Sequence, residues 1–183
     1  MDEATLIKRL NDEGTKQEAF TQLVKQYQEP LYNQIRRMVL IHEDADDVLQ
    51  NTFIKAWTGL ENFRGDSKLS TWLYRIAVNE SLNFLERQKK KTTSIDTDEP
   101  SLGMEIANTL QSDPYFDGDE VELQLQEAIA QLPDKQRAVF NMKYFQEMKY
   151  EEMSAIMGTS VGALKASYHH AVRKISDFFK LND

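Results

Sequence analysis

Aromatic, basic and amide side chains alternate over residues 61–91 of this 183-residue chain. The stretch reads ENFRGDSKLSTWLYRIAVNESLNFLERQKKK, and it sets Asn79 and Asn83 one helical turn apart. Rings on which bases can stack, placed beside cations and amides, suit single-stranded or flipped bases. Each residue alone has a simpler interpretation, because Trp72 fits a core position and the run Lys89–Lys91 fits a solvated helix end. The segment as a whole is a candidate nucleic-acid site.

A second candidate is YEEMSAIMGTSVGALKASYHHAVRKI, residues 150–175. Its pattern predicts a short helix, a tight turn at Gly158 and a longer second helix, which is typical of a helix-turn-helix. Lys165, His169 and Arg173 recur at one-turn spacing on the second helix, so they form a basic stripe that a major groove could accept. The alternative is an ordinary helical hairpin with a solvated charged face.

The third candidate is the acidic start of HEDADDVLQNTFIKAW. Asp44, Asp46 and Asp47 crowd the first turns of a predicted helix, where the helix dipole stabilises acids. A metal or acid/base cluster with His42 and Glu43 is a second interpretation, although octahedral sites draw their ligands from several elements. A third is an exposed partner-binding face, which would combine the acids with Gln50, Asn51, Lys55 and Trp57.

The sequence contains no set of residues typical of catalysis. It has no cysteine, which excludes disulfides, thiolate nucleophiles and cysteine zinc sites. It has no glycine-rich phosphate loop, and His170 simply adjoins His169 on the predicted DNA helix. We therefore expect neither an enzyme nor a cofactor.

The net charge of −8 comes entirely from one segment. Residues 94–120 hold eight acids and no base, whereas the flanking parts are each neutral. Two prolines and two glycines also fall in this segment, so residues 92–120 read as a flexible linker that self-repulsion keeps extended. Because local patches decide nucleic-acid affinity, the global charge says little about what the flanks bind.

Both flanks show the apolar spacing of amphipathic helices and no alternating strand pattern. The fold class expected is therefore all-α, with two small helical domains: an N-terminal bundle over residues 1–91 and a helix-turn-helix domain over residues 121–183. A proline at position 30 predicts a helix end there. The first ten residues carry acids and have no long apolar run, and no stretch approaches the length of a membrane span. We therefore expect a cytoplasmic protein.

Three motifs in a fixed order resemble the bacterial sigma-70-like family: DADDVLQNTFIKAW, NFRGDSKLSTWLYRIAVNESLNFLERQKKK and LPDKQRAVFNMKYFQEMKYEEMSAIMGTSVGALKASYHHAVRKI. The short two-domain length is similar to its extracytoplasmic-function (ECF) group. The resemblance covers roughly residues 5–91 and 120–180. It implies a promoter-specificity subunit of RNA polymerase, with residues 1–91 as sigma region 2 and residues 121–183 as sigma region 4.

The resemblance also implies site residues. The acidic helix would dock on the clamp coiled coil of the largest polymerase subunit through Asp44, Asp46, Asp47, Gln50, Asn51, Phe53, Lys55 and Trp57. The minus-ten element would be opened and read, with one base flipped into a loop pocket, by Asn62, Phe63, Arg64, Gly65, Asp66, Ser67, Lys68, Thr71, Trp72, Arg75, Asn79 and Asn83. The minus-thirty-five element would be read by Lys165, Ala166, Ser167, His169, His170 and Arg173.

Further partners are implied in the same way. The C-terminal domain would touch the flap of the second-largest subunit, and an anti-sigma factor is usual in the group. One departure concerns Ser167, where many relatives carry an arginine that would contact a phosphate or a guanine. We therefore predict a recognition helix, and we do not predict which promoter sequence this helix reads.

Two other functions fit parts of the chain. A stand-alone transcriptional regulator explains the helix-turn-helix but not residues 61–91, and a helical metal-dependent hydrolase would use the cluster Asp44–Asp47. For the linker, one hypothesis is that its acids mimic RNA in a positively charged polymerase channel. The other is a solubilising spacer.

Overall fold

The computed structural model describes residues 1–63, 65–92 and 119–182. All regular structure within these ranges is helical, which confirms the predicted all-α class. The N-terminal part contains α1 (Glu3–Leu10), α2 (Lys16–Val39), α3 (His42–Gly59), a 3₁₀ turn (Leu60–Asn62) and α4 (Leu69–Thr92). The C-terminal part contains α5 (Glu120–Ala130), α6 (Asp134–Tyr144), α7 (Tyr150–Met157) and α8 (Val161–Leu181).

The N-terminal bundle forms because each helix carries an apolar stripe. Helices α2, α3 and α4 pack against one another, and α1 packs on α2. The side chains of Leu23, Ile35 and Leu73 are fully buried at their centre. Each such side chain stabilises the fold by about 1.5–3 kcal/mol relative to an exposed position.

The predicted helix end at Pro30 is wrong, because α2 continues through this residue to Val39. Proline inside a helix removes one backbone hydrogen bond at a cost of about 3 kcal/mol. Here Pro30 lies on the exposed face, while Tyr27 before it and Leu31 and Ile35 after it continue one buried stripe. Burial of that stripe outweighs the local preference of proline.

The C-terminal part forms the helix-turn-helix domain that the sequence predicts. Gly158 ends α7 with a φ of +65°, in the left-handed region that glycine adopts without steric cost. Ser160 caps α8, since its hydroxyl oxygen accepts from the Ala163 N–H at 3.2 Å. The Ser154 hydroxyl donates to the Thr159 carbonyl at 2.6 Å and joins the two sides of the turn.

The two domains are packed together. Helix α2 contacts α5 and α6, and α4 contacts α6 and α7, so that Val139 and Met142 of α6 belong to the N-terminal core. At the rim, Lys89 forms an ion pair with Asp134 at 3.0 Å. The predicted linker, residues 92–120, lies outside the described residues except at its ends.

Candidate nucleic-acid interface

The predicted minus-ten loop is anchored by aromatic packing at its start. Phe63 is buried, and its ring centroid lies 4.9 Å from that of Trp72 with the planes tilted by 38°. Trp72 also lies over Gly59, where an added Cβ would come within 3.4 Å of its ring. Phe63 is thus occupied by Trp72 and is not an open stacking surface, whereas Trp72 is half-buried.

The described part of the loop outside Phe63 is polar and faces solvent. Its exposed residues are Asn62, Gly65, Asp66, Ser67 and Lys68. Gly65 has a φ of +78°, a conformation that favours glycine. Arg64, which belongs to the same prediction, lies outside the described residues. The loop therefore presents polar groups around an aromatic anchor.

One face of α4 carries the remaining predicted minus-ten residues. After two adjacent residues at its start, the set follows a spacing of three or four residues along the helix: Thr71, Trp72, Arg75, Asn79 and Asn83. Arg75, Asn79 and Asn83 are exposed, while Leu73 and Ala77 on the other side are buried. The Arg75 Nη2 donates to the carbonyl of Ala155 in α7 at 3.4 Å. This face therefore borders the helix-turn-helix.

The acidic end of α3 is exposed, as a partner-binding face requires. Asp46 and Asp47 face solvent, whereas Asp44 is half-buried. Burial raises the pKa of Asp44, a hydrogen bond with Gln88 opposes that shift, and the neighbouring negative charges of Asp47 and Glu43 add to it. Gln50 and Asn51 extend the exposed face by one turn.

His42 is tied into its surroundings at the start of α3. Its Nδ1 lies 2.6 Å from the Tyr32 hydroxyl, and its Nε2 lies 3.2 Å from Asp46 Oδ2. The ring therefore links α2 to α3. Among the described residues, no group of three or more His, Cys, Asp or Glu side chains is arranged to hold a metal ion.

The other end of α3 is apolar and partly exposed. Trp57 packs edge-on against Phe20 at 5.0 Å and lies under the Lys16 cation, also at 5.0 Å. Phe53, half-buried, contacts Phe20 as well. Ile54, which the sequence prediction missed, is 61% exposed beside Trp57. Ile54 lies one helical turn after Gln50 and Asn51, and this spacing would have placed it on the same face of the helix.

Lys55 differs from the other predicted polymerase-binding residues. It forms an ion pair with Glu80 of α4, whose side chain is only 7% exposed. A buried carboxylate needs such a partner. The structure thus gives Lys55 an internal role in joining α3 to α4.

The predicted recognition helix presents its basic stripe to solvent. Its exposed residues are Lys165, Ala166, His169, His170 and Arg173, and Ser167 is half-buried. Leu164, Ala171 and Ile175 on the opposite side are buried in the domain core. The Lys165 ammonium lies 5.7 Å from the ring of Tyr150 at the start of α7. The stripe is therefore held by a well-packed helix.

Comparisons with known proteins agree with this architecture. Residues 23–91 match the family Sigma-70 region 2, and residues 122–175 match the family Sigma-70, region 4. The chain is 34% identical over 169 residues to the RNA polymerase sigma-H factor of Pseudomonas aeruginosa, covering 84% of this chain and 82% of that protein. It is 32% identical over 167 residues to the ECF RNA polymerase sigma factor SigW of Bacillus subtilis, covering 86% and 89%.

A solved structure has the same fold. The sigma factor RpoE from Bartonella quintana, in complex with the anti-sigma factor NepR, aligns with a TM-score of 0.68 at 21% identity, over 90% of this chain and 98% of that one. The chain therefore belongs to the sigma-70 family and, within it, to the ECF RNA polymerase sigma factors. It is a non-enzymatic transcription initiation factor that directs transcription from promoters.

Family membership spans both halves of the chain, so it decides against the stand-alone regulator and the metal-dependent hydrolase. A separate finding concerns membranes: none of the helices in residues 1–63, 65–92 and 119–182 combines the length and apolar character needed to cross a bilayer.

Proposed function

We propose that α3 binds core RNA polymerase, that the loop and α4 open and read the minus-ten element, and that α8 reads the minus-thirty-five element. In this proposal residues 1–91 act as region 2, residues 92–120 as the linker and residues 121–183 as region 4. The observation that carries it is the exposure of three chemically different faces on α3, α4 and α8, each backed by a buried apolar stripe.

The face of α3 suits a basic and apolar helical partner. Asp46, Asp47 and Gln50 supply exposed acids and an amide at one end, and Ile54 and Trp57 supply an apolar surface at the other. Exposed apolar residues rimmed by polar ones mark protein–protein contacts. The clamp coiled coil of the largest polymerase subunit is the proposed partner, with the acids steering its approach.

The α4 face suits separated strands more than a duplex. Asn79 and Asn83 can each donate and accept hydrogen bonds at a base edge, and Arg75 adds a cation. The flipped base would lie in the loop beside the Phe63–Trp72 pair. Unstacking a base costs a few kcal/mol, which contacts in that pocket would offset.

The face of α8 suits a major groove. The second helix of a helix-turn-helix enters the groove with its N-terminal residues at the base edges. Lys165 and Ala166 lie at that end, and Arg173 lies two turns further, where it would meet the phosphate backbone. The flap of the second-largest subunit would contact the same domain.

The packed domains must separate to read both elements at once. The elements are about 25 base pairs apart, or about 85 Å of duplex at about 3.4 Å per pair. In the structure Arg75 touches Ala155 across the domain boundary. Residues 92–120, pulled straight, could span at most about 100 Å, which is sufficient.

An anti-sigma factor is the proposed regulator, by analogy with the RpoE structure, which is bound to one. Cytoplasmic location follows from the proposed partners, because core polymerase and promoter DNA share that compartment. The absence of cysteine fits its reducing environment.

Co-purification with core RNA polymerase tests the α3 assignment. We expect wild type to bind, and Asp47→Arg and Gln50→Ala to bind at least about tenfold more weakly, as central interface residues do. Glu29→Arg makes the same charge change at an exposed position of α2 and should bind like wild type. Equal binding by all four proteins would overturn the α3 assignment, and no binding by wild type would overturn the proposed function.

A further inference from the structure

The start of α4 has a donor that its own sequence does not satisfy. The first N–H groups of a helix have no intrahelical acceptor, and a capping side chain just before the helix reaches the N–H of the second or third helical residue, not that of the first. In α4 the residue before the helix is Lys68, whose ammonium can only donate, so it caps none of these groups. The first helical residue, Leu69, is fully buried, so water cannot serve its N–H.

The missing acceptor comes from α1. The Glu3 Oε1 accepts a hydrogen bond from the Leu69 N–H, so the bond connects two residues that are 66 positions apart in the chain. Helix α1 is fixed in place by Leu6 and Leu10, which are both buried. A carboxylate at this end of α4 also offsets the positive end of the helix dipole.

Glu3 is not required for capping its own helix. The side chain that caps α1 is Asp2, whose Oδ1 accepts from the Thr5 N–H at 2.8 Å. Glu3 is half-buried and near Tyr27, whose pKa is raised by burial and further by the Glu3 charge. The carboxylate therefore points inward from α1 toward the bundle and the start of α4.

We propose that Glu3 is a positioning residue for the minus-ten loop. The loop is held at its start by the packing of Phe63 on Trp72 and at its end by the bond from Glu3 to Leu69. With both ends held, the exposed residues 65–68 keep one arrangement, and a flipped base meets a formed pocket. This inference rests on the proposed function of the loop.

The test compares Glu3→Ala, Glu3→Gln and Asp2→Ala in the full-length protein. Glu3→Gln keeps an acceptor oxygen, so it should act like wild type. Asp2→Ala removes the neighbouring acid and the α1 cap while leaving the Glu3–Leu69 bond. The first readout is amide hydrogen exchange at Leu69 in the free protein, which should be about tenfold faster in Glu3→Ala alone.

The second readout is promoter melting by reconstituted holoenzyme on DNA that the wild-type holoenzyme selects from a random duplex library. We expect Glu3→Ala to shorten open-complex lifetime about tenfold while core-polymerase affinity changes less than twofold. Glu3→Gln should restore the lifetime, and Asp2→Ala should retain it.

Three outcomes overturn the inference. One is unchanged Leu69 exchange or melting in Glu3→Ala. Another is an equal loss of open-complex lifetime in Asp2→Ala, which would show that α1 contributes only through its overall stability and not through the Glu3–Leu69 bond. The third is a loss confined to core-polymerase affinity. If wild-type holoenzyme itself melts no selected DNA, the proposed function falls as well, so the two failures are distinguishable.

Discussion

Asp44 and Asp47 lie one turn apart on α3, yet their surroundings differ. Asp44 is half-buried and its pKa is raised chiefly by that burial, whereas Asp47 is exposed. The sequence marked them as one acidic cluster, since residue type and spacing do not reveal which carboxylate faces α4. The distinction matters for stability, because a raised pKa means that the folded state holds the proton more tightly than the unfolded state.

The sign of the Asp44 effect follows from that linkage. Below about pH 3.8, its ordinary pKa, both states hold the proton and its contribution to folding is at its most favourable. As the pH rises through the higher pKa of the folded state, that contribution is lost. Asp44→Asn should therefore increase the free energy of unfolding at pH 7 by a few tenths of a kcal/mol, and the gain should vanish below about pH 4.

Urea unfolding of the free protein at several pH values measures this difference. Glu29→Gln, which removes an exposed acid from α2, is the control and should show no such gain. A gain for Asp44→Asn that persists unchanged at pH 3 would contradict the burial argument.

At the scale of elements, the turn between α7 and α8 depends on one backbone conformation. Gly158 has a φ of +65° and no neighbouring atom within 4 Å of an added Cβ. The cost of a side chain there is therefore conformational and not steric. Because left-handed backbone costs a non-glycine residue about 1–2 kcal/mol, Gly158→Ala should destabilise the protein by about 1 kcal/mol.

The matched control is Gly162→Ala. Gly162 lies in α8, also has open space around it and does not have a left-handed φ, so alanine there should be neutral or stabilising. Thermal unfolding of the two variants provides the comparison. If both lowered the melting temperature equally, the left-handed turn would not be the cause.

The helices themselves were largely predictable from the sequence, since apolar spacing, Gly158 and Ser160 are local signals. The continuation of α2 through Pro30 was not predictable, because the preference of proline is local while the stripe from Tyr27 to Ile35 gains its energy from burial against other helices. The same reason explains Phe63. Its aromatic ring suggested a stacking surface, and only the position of Trp72 shows that the ring is already covered.

At the scale of the whole molecule, the two domains share a core. Val139 and Met142 of α6 pack into the N-terminal bundle, while the rim carries weaker contacts. Arg37 stacks on Phe145 at 3.9 Å, and burial lowers the pKa of its guanidinium. Lys89 pairs with Asp134 at 3.0 Å. These contacts must break if the domains separate to reach both promoter elements.

The double variant Arg37→Ala and Lys89→Ala tests whether these rim contacts hold the two domains together. It removes the stacked cation and the ion pair while leaving the apolar contacts of Val139 and Met142, so the domains should be held less tightly and separate more often. The radius of gyration should then rise in small-angle X-ray scattering. Lys8→Ala with Lys25→Ala, two cations of α1 and α2 outside the domain contacts described above, should leave scattering unchanged. Identical curves for the two double variants would show that the rim contacts do not hold the domains.

The sequence by itself determined most of the helices, the helix-turn-helix and the family, because apolar period, turn residues and motif order depend on neighbouring positions. The tertiary structure decided which of the marked residues are available. In the structure Trp72 covers the ring of Phe63, and Lys55 forms an ion pair with Glu80. Glu3 accepts a hydrogen bond from the Leu69 N–H, and Arg75 donates one to α7. Most of these pairings join residues that are distant along the chain, and their energies arise from burial and charge in three dimensions, which spacing along a sequence does not encode.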